Sequence, residues 1–163
     1  MSEENGSLGA SVTGGCQCGA VRYRIGGAFG PAGICHCRMC QKAFGSFGAA
    51  LVSVPLSAFE WTRGRAAEFR SSAIVARGFC AACGTPLYMH DDGDLNFELA
   101  IGSLDDPNAV GALRNQTGVE SKVAWFDTMP ALPRETTNEN NPAAADGRYR
   151  TRQHPDHDTD HWP

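Results

Sequence analysis

All seven cysteines of this 163-residue chain fall in three short clusters. The first is Cys16-Gln17-Cys18, the second runs from Cys35 through Cys37 to Cys40, and the third is Cys80-Ala81-Ala82-Cys83. Thiols one or two residues apart suit a soft cation better than they suit disulfides. An odd count also leaves at least one thiol unpaired under any intramolecular disulfide scheme. Zinc takes four ligands in a tetrahedron, and Cys supplies them as thiolate. Cys16 and Cys18 with Cys80 and Cys83 make two short-range pairs, which together close a structural site and turn metal-binding energy into folding energy. Cys35, Cys37 and Cys40 remain as three thiolates without a fourth, and a three-ligand zinc with an open position is the usual catalytic arrangement. The alternatives for this second set are small buried hydrophobes or a redox dithiol.

The residues around the thiols are less specific. His36, flanked by two ligands, is expected to point away from the metal and act as support, with ligation as the alternative. Arg38 and Lys42 either neutralise thiolate charge and hold a substrate carboxylate, or are solvated surface charges. His90 reads as a satisfied sheet histidine. The stretch from His154 to Trp162 looks superficially like a metal tract, but its Pro and Asp content suits a solvated or loosely docked tail. Trp162 is expected to dock on this subunit or a neighbour, which leaves a homo-oligomer open.

The chain fits one domain with a substantial core, and its 42% hydrophobic content is that of a globular protein. A net charge of −4 and scattered Lys and Arg give no footprint for nucleic acid. No run of about 18 apolar residues is present to cross a membrane, and the polar N-terminus lacks the apolar core of a secretory signal. A reducing compartment, the cytoplasm, is therefore expected. The divisions are a lead-in over residues 1–13, a zinc-binding domain over 14–132 and a polar extension over 133–163. Short strands are expected at 20–25, 46–54, 66–71 and 74–79, in a hairpin of 85–90 with 95–101, and finally at 119–126 with Trp125 and Phe126 as anchors. Residues 38–44 can form one or two helical turns before Gly45 stops them, and 56–59 a 3₁₀ turn. Many short strands with Gly and Pro turns make the fold class all-β.

Gly15-Cys16-Gln17-Cys18-Gly19-Ala20-Val21, Cys35-His36-Cys37-Arg38-Met39-Cys40-Gln41-Lys42 and Phe44-Gly45-Ser46 together resemble the glutathione-dependent formaldehyde-activating family, whose domain is shared with centromere protein V. Ser71-Ser72, Arg77-Gly78-Phe79-Cys80 through Thr85, Gly102-Ser103-Leu104-Asp105 and Trp125 extend the resemblance over residues 14–125. It implies several short coiled antiparallel sheets in a β-tent-like arrangement, with one structural and one catalytic zinc held by the two thiol sets above. It also implies a carbon–sulfur lyase or synthase activity that joins glutathione to formaldehyde.

The ligand count is consistent with such chemistry. An open three-thiolate zinc can accept a substrate thiol and deprotonate it, supplying a nucleophile for an aldehyde carbon. Arg38, Ser46 and Arg77 are candidate proton donors. Three thiolates make the metal electron-rich, so metal-hydroxide hydrolysis is less attractive. The rivals are a zinc-stabilised module that binds a thiol or a protein without turnover, and a redox or metal sensor.

Overall fold

A computed structural model describes residues 11–161. Ten strands form two sheets among these residues. The smaller is β1 (Val12–Gly15), β2 (Arg22–Ile25) and β5 (Phe59–Arg63), in the order β1-β2-β5. The larger has seven strands: β3 (Ala32–Cys35), β4 (Ala49–Pro55), β6 (Ala67–Arg70), β7 (Val75–Phe79), β8 (Pro86–Asp91), β9 (Asn96–Ala100) and β10 (Asn115–Thr117). Their order is β10-β3-β4-β9-β8-β7-β6, and neither sheet closes. The all-β expectation holds. One pairing departs from it, since β10 lies parallel to β3 while every other pairing is antiparallel.

The core fills the space between the sheets. Tyr23 and Ile25 from β2 meet Val52 and Val54 from β4 and Leu99 from β9, all fully buried. Alternation in Arg22-Tyr23-Arg24-Ile25 is what lets β2 present this pair inward. Phe59 on β5 stacks on Tyr23 at 5.2 Å and meets Phe97 of β9 edge-on at 5.1 Å, and Phe97 lies 4.2 Å from Tyr88 of β8. Each such side chain contributes roughly 1.5–3 kcal/mol through burial, so this aromatic seam is the main bond between the layers.

The opposite face of the large sheet carries α1 (Arg38–Phe44). Cys37 caps it, its sulfur accepting the Cys40 amide, and Gly45 ends it with φ 59° and ψ 32°, a left-handed conformation that glycine adopts at little cost. Helix and stop match the expectation to the residue. The 3₁₀ turn forms at Leu56–Ala58, and β8 pairs with β9 as the expected hairpin.

The last expected strand does not form. Residues 119–126 instead hold a 3₁₀ turn at Val119–Ser121 and the start of a second at Phe126–Ala131. Pairing with β3 ends one residue earlier, because Gly118 turns the chain with φ 63° where a Cβ would lie 2.6 Å from the Cys37 nitrogen. Trp125 is 53% exposed and meets the edge of Phe47 at 5.6 Å, so it is no core anchor, whereas Phe126 packs edge-on against His36 at 4.7 Å. Four short strands, β1, β3, β5 and β10, were not expected; Val12 and Thr13 of β1 fall inside the stretch read as lead-in. The absence of a secretory signal and the docking of Trp162 concern residues 1–10 and 162, outside the described residues.

Candidate metal centres

Two groups of thiols converge. The Sγ atoms of Cys16, Cys18, Cys80 and Cys83 lie within 4.8 Å of one another, and so do those of Cys35, Cys37 and Cys40. A tetrahedral zinc with Zn–S near 2.3 Å needs sulfurs about 3.8 Å apart. Cys16 and Cys18 sulfurs are 3.5 Å apart, and Cys18 and Cys80 sulfurs 3.8 Å. Both groups can hold metal ions, and the spacing fits zinc. All seven cysteines are free thiols.

The four-thiol group joins the two sheets. Cys16 and Cys18 sit in the turn between β1 and β2, while Cys80 and Cys83 follow β7. The Val21 amide donates to Cys16 Sγ at 3.2 Å. Burial pushes the Cys16 thiol up to about 12 and raises Cys80 as well. Burial also acts on Cys83, but the Thr85 hydroxyl and backbone amides outweigh it and bring this thiol down to about 6. Two of the four thiols therefore resist ionisation unless a cation balances them.

The three-thiol group lies under α1. Cys35 ends β3, Cys37 caps the helix and Cys40 follows in its first turn. Burial pushes Cys40 up to about 12, opposed by Arg77, whose Nη2 donates to its sulfur at 3.4 Å. Burial also acts on Cys35, but the Cys37 amide and the Thr117 hydroxyl outweigh it and lower this thiol. Arg77 is only 3% exposed; its Nε donates to Ser71 at 3.0 Å and its Nη1 has no partner. Of the three donor candidates, only Arg77 is hydrogen-bonded to a thiol. Arg38 and Ser46 border an outer cleft with Lys42, Phe47 and Trp125.

His36 turns away from the thiols. It is fully buried, shares a 3.0 Å hydrogen bond with Gln116 Oε1, and is in neither thiol group. Support of β10, which carries Gln116, is the role its position gives. His90 bonds the Asp94 carbonyl at 3.0 Å in the hairpin, as expected of a sheet histidine.

A cavity of about 280 Å³ opens beside Cys35, lined by Leu51, Met89, Glu98, Asn115 and Thr117. Glu98 was not singled out from sequence, where one carboxylate in an apolar strand carries no motif. The register of the large sheet is the signal that finds it.

The tail is docked more firmly than its composition suggested. The His154 amide donates to the Gln17 carbonyl at 2.7 Å, inside the Cys16–Cys18 turn, and His154 is buried. Asp158 meets Arg22 at 2.8 Å and Arg24 at 3.3 Å. Arg22 explains the docking: a guanidinium only 3% exposed needs carboxylates, and Asp105 and Asp158 supply two. No described residue of the tail joins either thiol group.

The family described as glutathione-dependent formaldehyde-activating enzyme matches residues 11–117, which include all seven cysteines. The chain belongs to this family. No curated protein matches it. Its structure is similar to a crystal structure of a Rhodobacter sphaeroides protein, with TM-score 0.51 and 22% identity over 62% of this chain and 96% of that one. That likeness speaks for the fold alone. No helix among the described residues is long and apolar enough to cross a membrane.

Proposed function

We propose that this protein is a zinc-dependent carbon–sulfur lyase or synthase. It would act on the adduct of a small aldehyde such as formaldehyde with a glutathione-like thiol. Cys16, Cys18, Cys80 and Cys83 hold a structural zinc that bonds the two sheets. Cys35, Cys37 and Cys40 hold the catalytic zinc, which when bound supplies a site where an incoming thiol loses its proton. The domain of residues 14–132 carries both centres, the extension 133–163 braces it, and the cytoplasm suits its free thiols.

The supporting observation is that the second thiol group is one donor short of a tetrahedron and borders a cavity. The chain's own groups fit the task. The Cys37 sulfur is held in place by the Cys40 amide, and the Arg77 guanidinium offsets negative charge at Cys40. Leu51 and Met89 give the cavity beside Cys35 an apolar wall.

The test is zinc per chain together with glutathione binding, on the wild type and on Cys37→Ser. Two zincs falling to one, with the fold intact and glutathione binding lost, support the reading. One zinc in the wild type, unchanged by Cys37→Ser and without thiol binding, sinks it and leaves a zinc-stabilised binding module.

A further inference from the structure

The four-thiol centre is open on one side and braced on the other. Cys83 is exposed, so a metal acceptor in solution meets the centre there. Zinc then leaves only when the Cys16–Cys18 turn also gives up its two sulfurs. Within that turn the Cys16 amide donates to the Val21 carbonyl at 2.9 Å and the Gly19 amide to the Cys16 carbonyl at 3.0 Å. The Gln17 amide donates to the Thr85 hydroxyl at 3.1 Å, beside Cys83. The Gln17 and Gly19 carbonyls are met from outside the turn. The His154 amide donates to the first at 2.7 Å, and Arg63 Nη1 to the second at 3.2 Å.

The segment responsible comes from the far end of the chain. Residues 145–153 are all exposed, and then His154 is only 3% exposed. Its Nδ1 donates to the Pro155 carbonyl at 2.7 Å, which leaves Nε2 to accept from the Thr159 hydroxyl at 3.0 Å. Residues 154–159 are thus closed into a loop, and three arginines of the small sheet receive it. Arg63 on β5 donates through Nη2 to the Thr159 carbonyl while its Nη1 holds the Gly19 carbonyl, so one guanidinium joins tail to turn. Asp158 accepts from Arg22 at 2.8 Å and from Arg24 at 3.3 Å, both on β2, the strand that follows the turn. The family match ends at residue 117, so the seat belongs to the family domain and the docked loop lies outside it.

We propose that residues 154–159 are a clasp that controls zinc exchange at the four-thiol centre. The proposal rests on the reading that this centre holds zinc. Seated, the clasp fixes two carbonyls of the turn, and Cys16 and Cys18 stay on the metal. Released, it takes away the donor of the Gln17 carbonyl and the tail acceptors that orient Arg63 toward Gly19, so the turn opens more often and an acceptor removes the zinc. Where reclosing is fast, the population of the open turn sets the exchange rate, and each lost bond raises that rate without unfolding the domain. The clasp is part of the same chain, so its seating does not depend on protein concentration. The three-thiol centre lies under α1, on the face of the large sheet turned away from the small one, and is outside the reach of this control.

The experiment exposes the full-length two-zinc protein to excess colorimetric zinc chelator and N-ethylmaleimide. Zinc transfer is read by absorbance and the labelling of each cysteine by peptide mapping. Asp158→Ala with Thr159→Val removes the side chains that seat the clasp on Arg22, Arg24 and Arg63. One zinc is expected to leave about fivefold faster or more, in step with labelling of Cys16 and Cys18, while Cys35, Cys37 and Cys40 are labelled at the wild-type rate. Asp156→Ala, which removes an acceptor that Gln153 meets at 3.1 Å within the tail, should release zinc as the wild type does. Release from the double variant within about twofold of wild type overturns the proposal. Equal acceleration at both thiol groups also overturns it, since that is a general loss of stability. If the double variant does not fold, Asp158→Asn decides, and wild-type labelling of Cys16 and Cys18 in it overturns the clasp. A wild type whose Cys16 and Cys18 are labelled at once, with no zinc on them, overturns the parent reading together with the clasp and shows itself before any substitution.

Discussion

Neutralising Asp105 tests how the core tolerates the most buried ion pair among the described residues. Its two oxygens accept from Arg22 Nη1 at 2.7 Å and Nη2 at 2.5 Å, with side chains 12% and 3% exposed. Removing one partner of a buried pair costs about 3–5 kcal/mol, because the other charge stays in low dielectric. Asp158 still reaches Arg22 but is more exposed and partly screened, and Asn keeps one acceptor, so Asp105→Asn should lose about 2–3 kcal/mol. For a chain of this size that is a fall of about 5–10 °C in Tm, read by circular dichroism with zinc in excess. The pH dependence has a definite sign. Burial would raise the Asp105 carboxyl, but Arg22 and the Thr13 hydroxyl hold it below its ordinary value. A depressed folded-state pKa gives stability above the unfolded value of about 3.9 that is lost as pH falls through the folded one. The gap between wild type and Asp105→Asn should thus stay constant near neutrality and close only below about pH 4. Adding Arg22→Met, which removes the stranded cation, should restore part of the loss. A single variant within about 0.5 kcal/mol of wild type, or a double variant worse than the single, would refute this account of the pair.

Other residues give sharper local tests. Gly118→Ala places a Cβ 2.6 Å from the Cys37 nitrogen at φ 63°, so zinc per chain should fall from two to one while the fold persists; two retained zincs would contradict that coupling. Briefly zinc-stripped protein at pH 7 should be alkylated first at Cys83, the exposed thiol brought down to about 6, and slowest at Cys16 and Cys40, as peptide mapping would show. Labelling led by a buried thiol would contradict the assigned environments. Leu99→Ala opens a void in the aromatic seam and should cost about 2–5 kcal/mol in denaturant titration with zinc present.

The thiol groups were legible in the sequence because short-range Cys spacing is itself a geometric constraint, and the structure assembles the two sets as the spacing implies. The helix of residues 38–44 was legible through its Gly45 stop. β1, β3 and β10 were not, since Val-Thr-Gly-Gly, Ala-Gly-Ile-Cys and Asn-Gln-Thr show no alternating apolar face, and β5 was passed over although Phe59-Glu60-Trp61-Thr62-Arg63 alternates. Residues 119–126 misled because Val119, Val123, Trp125 and Phe126 have strand-like composition, while Gly118 and the crowding at Cys37 turn the chain first. The buried Arg22 hid the docking of the tail, as no local pattern shows that a charged strand residue turns inward to meet Asp105 and Asp158. Glu98 stayed invisible for a similar reason, since only the assembled sheet places it in the lining of a cavity that Cys35 also borders.

The central claim is that the second zinc is held by three protein sulfurs and completed by a substrate thiol. Zinc K-edge X-ray absorption on the two-zinc protein, with and without glutathione, measures this directly. Seven sulfurs shared by two zincs, with one lighter ligand replaced by an eighth sulfur on adding glutathione, is the predicted result. Eight sulfurs before any thiol is added, or a spectrum that glutathione leaves unchanged, would contradict it.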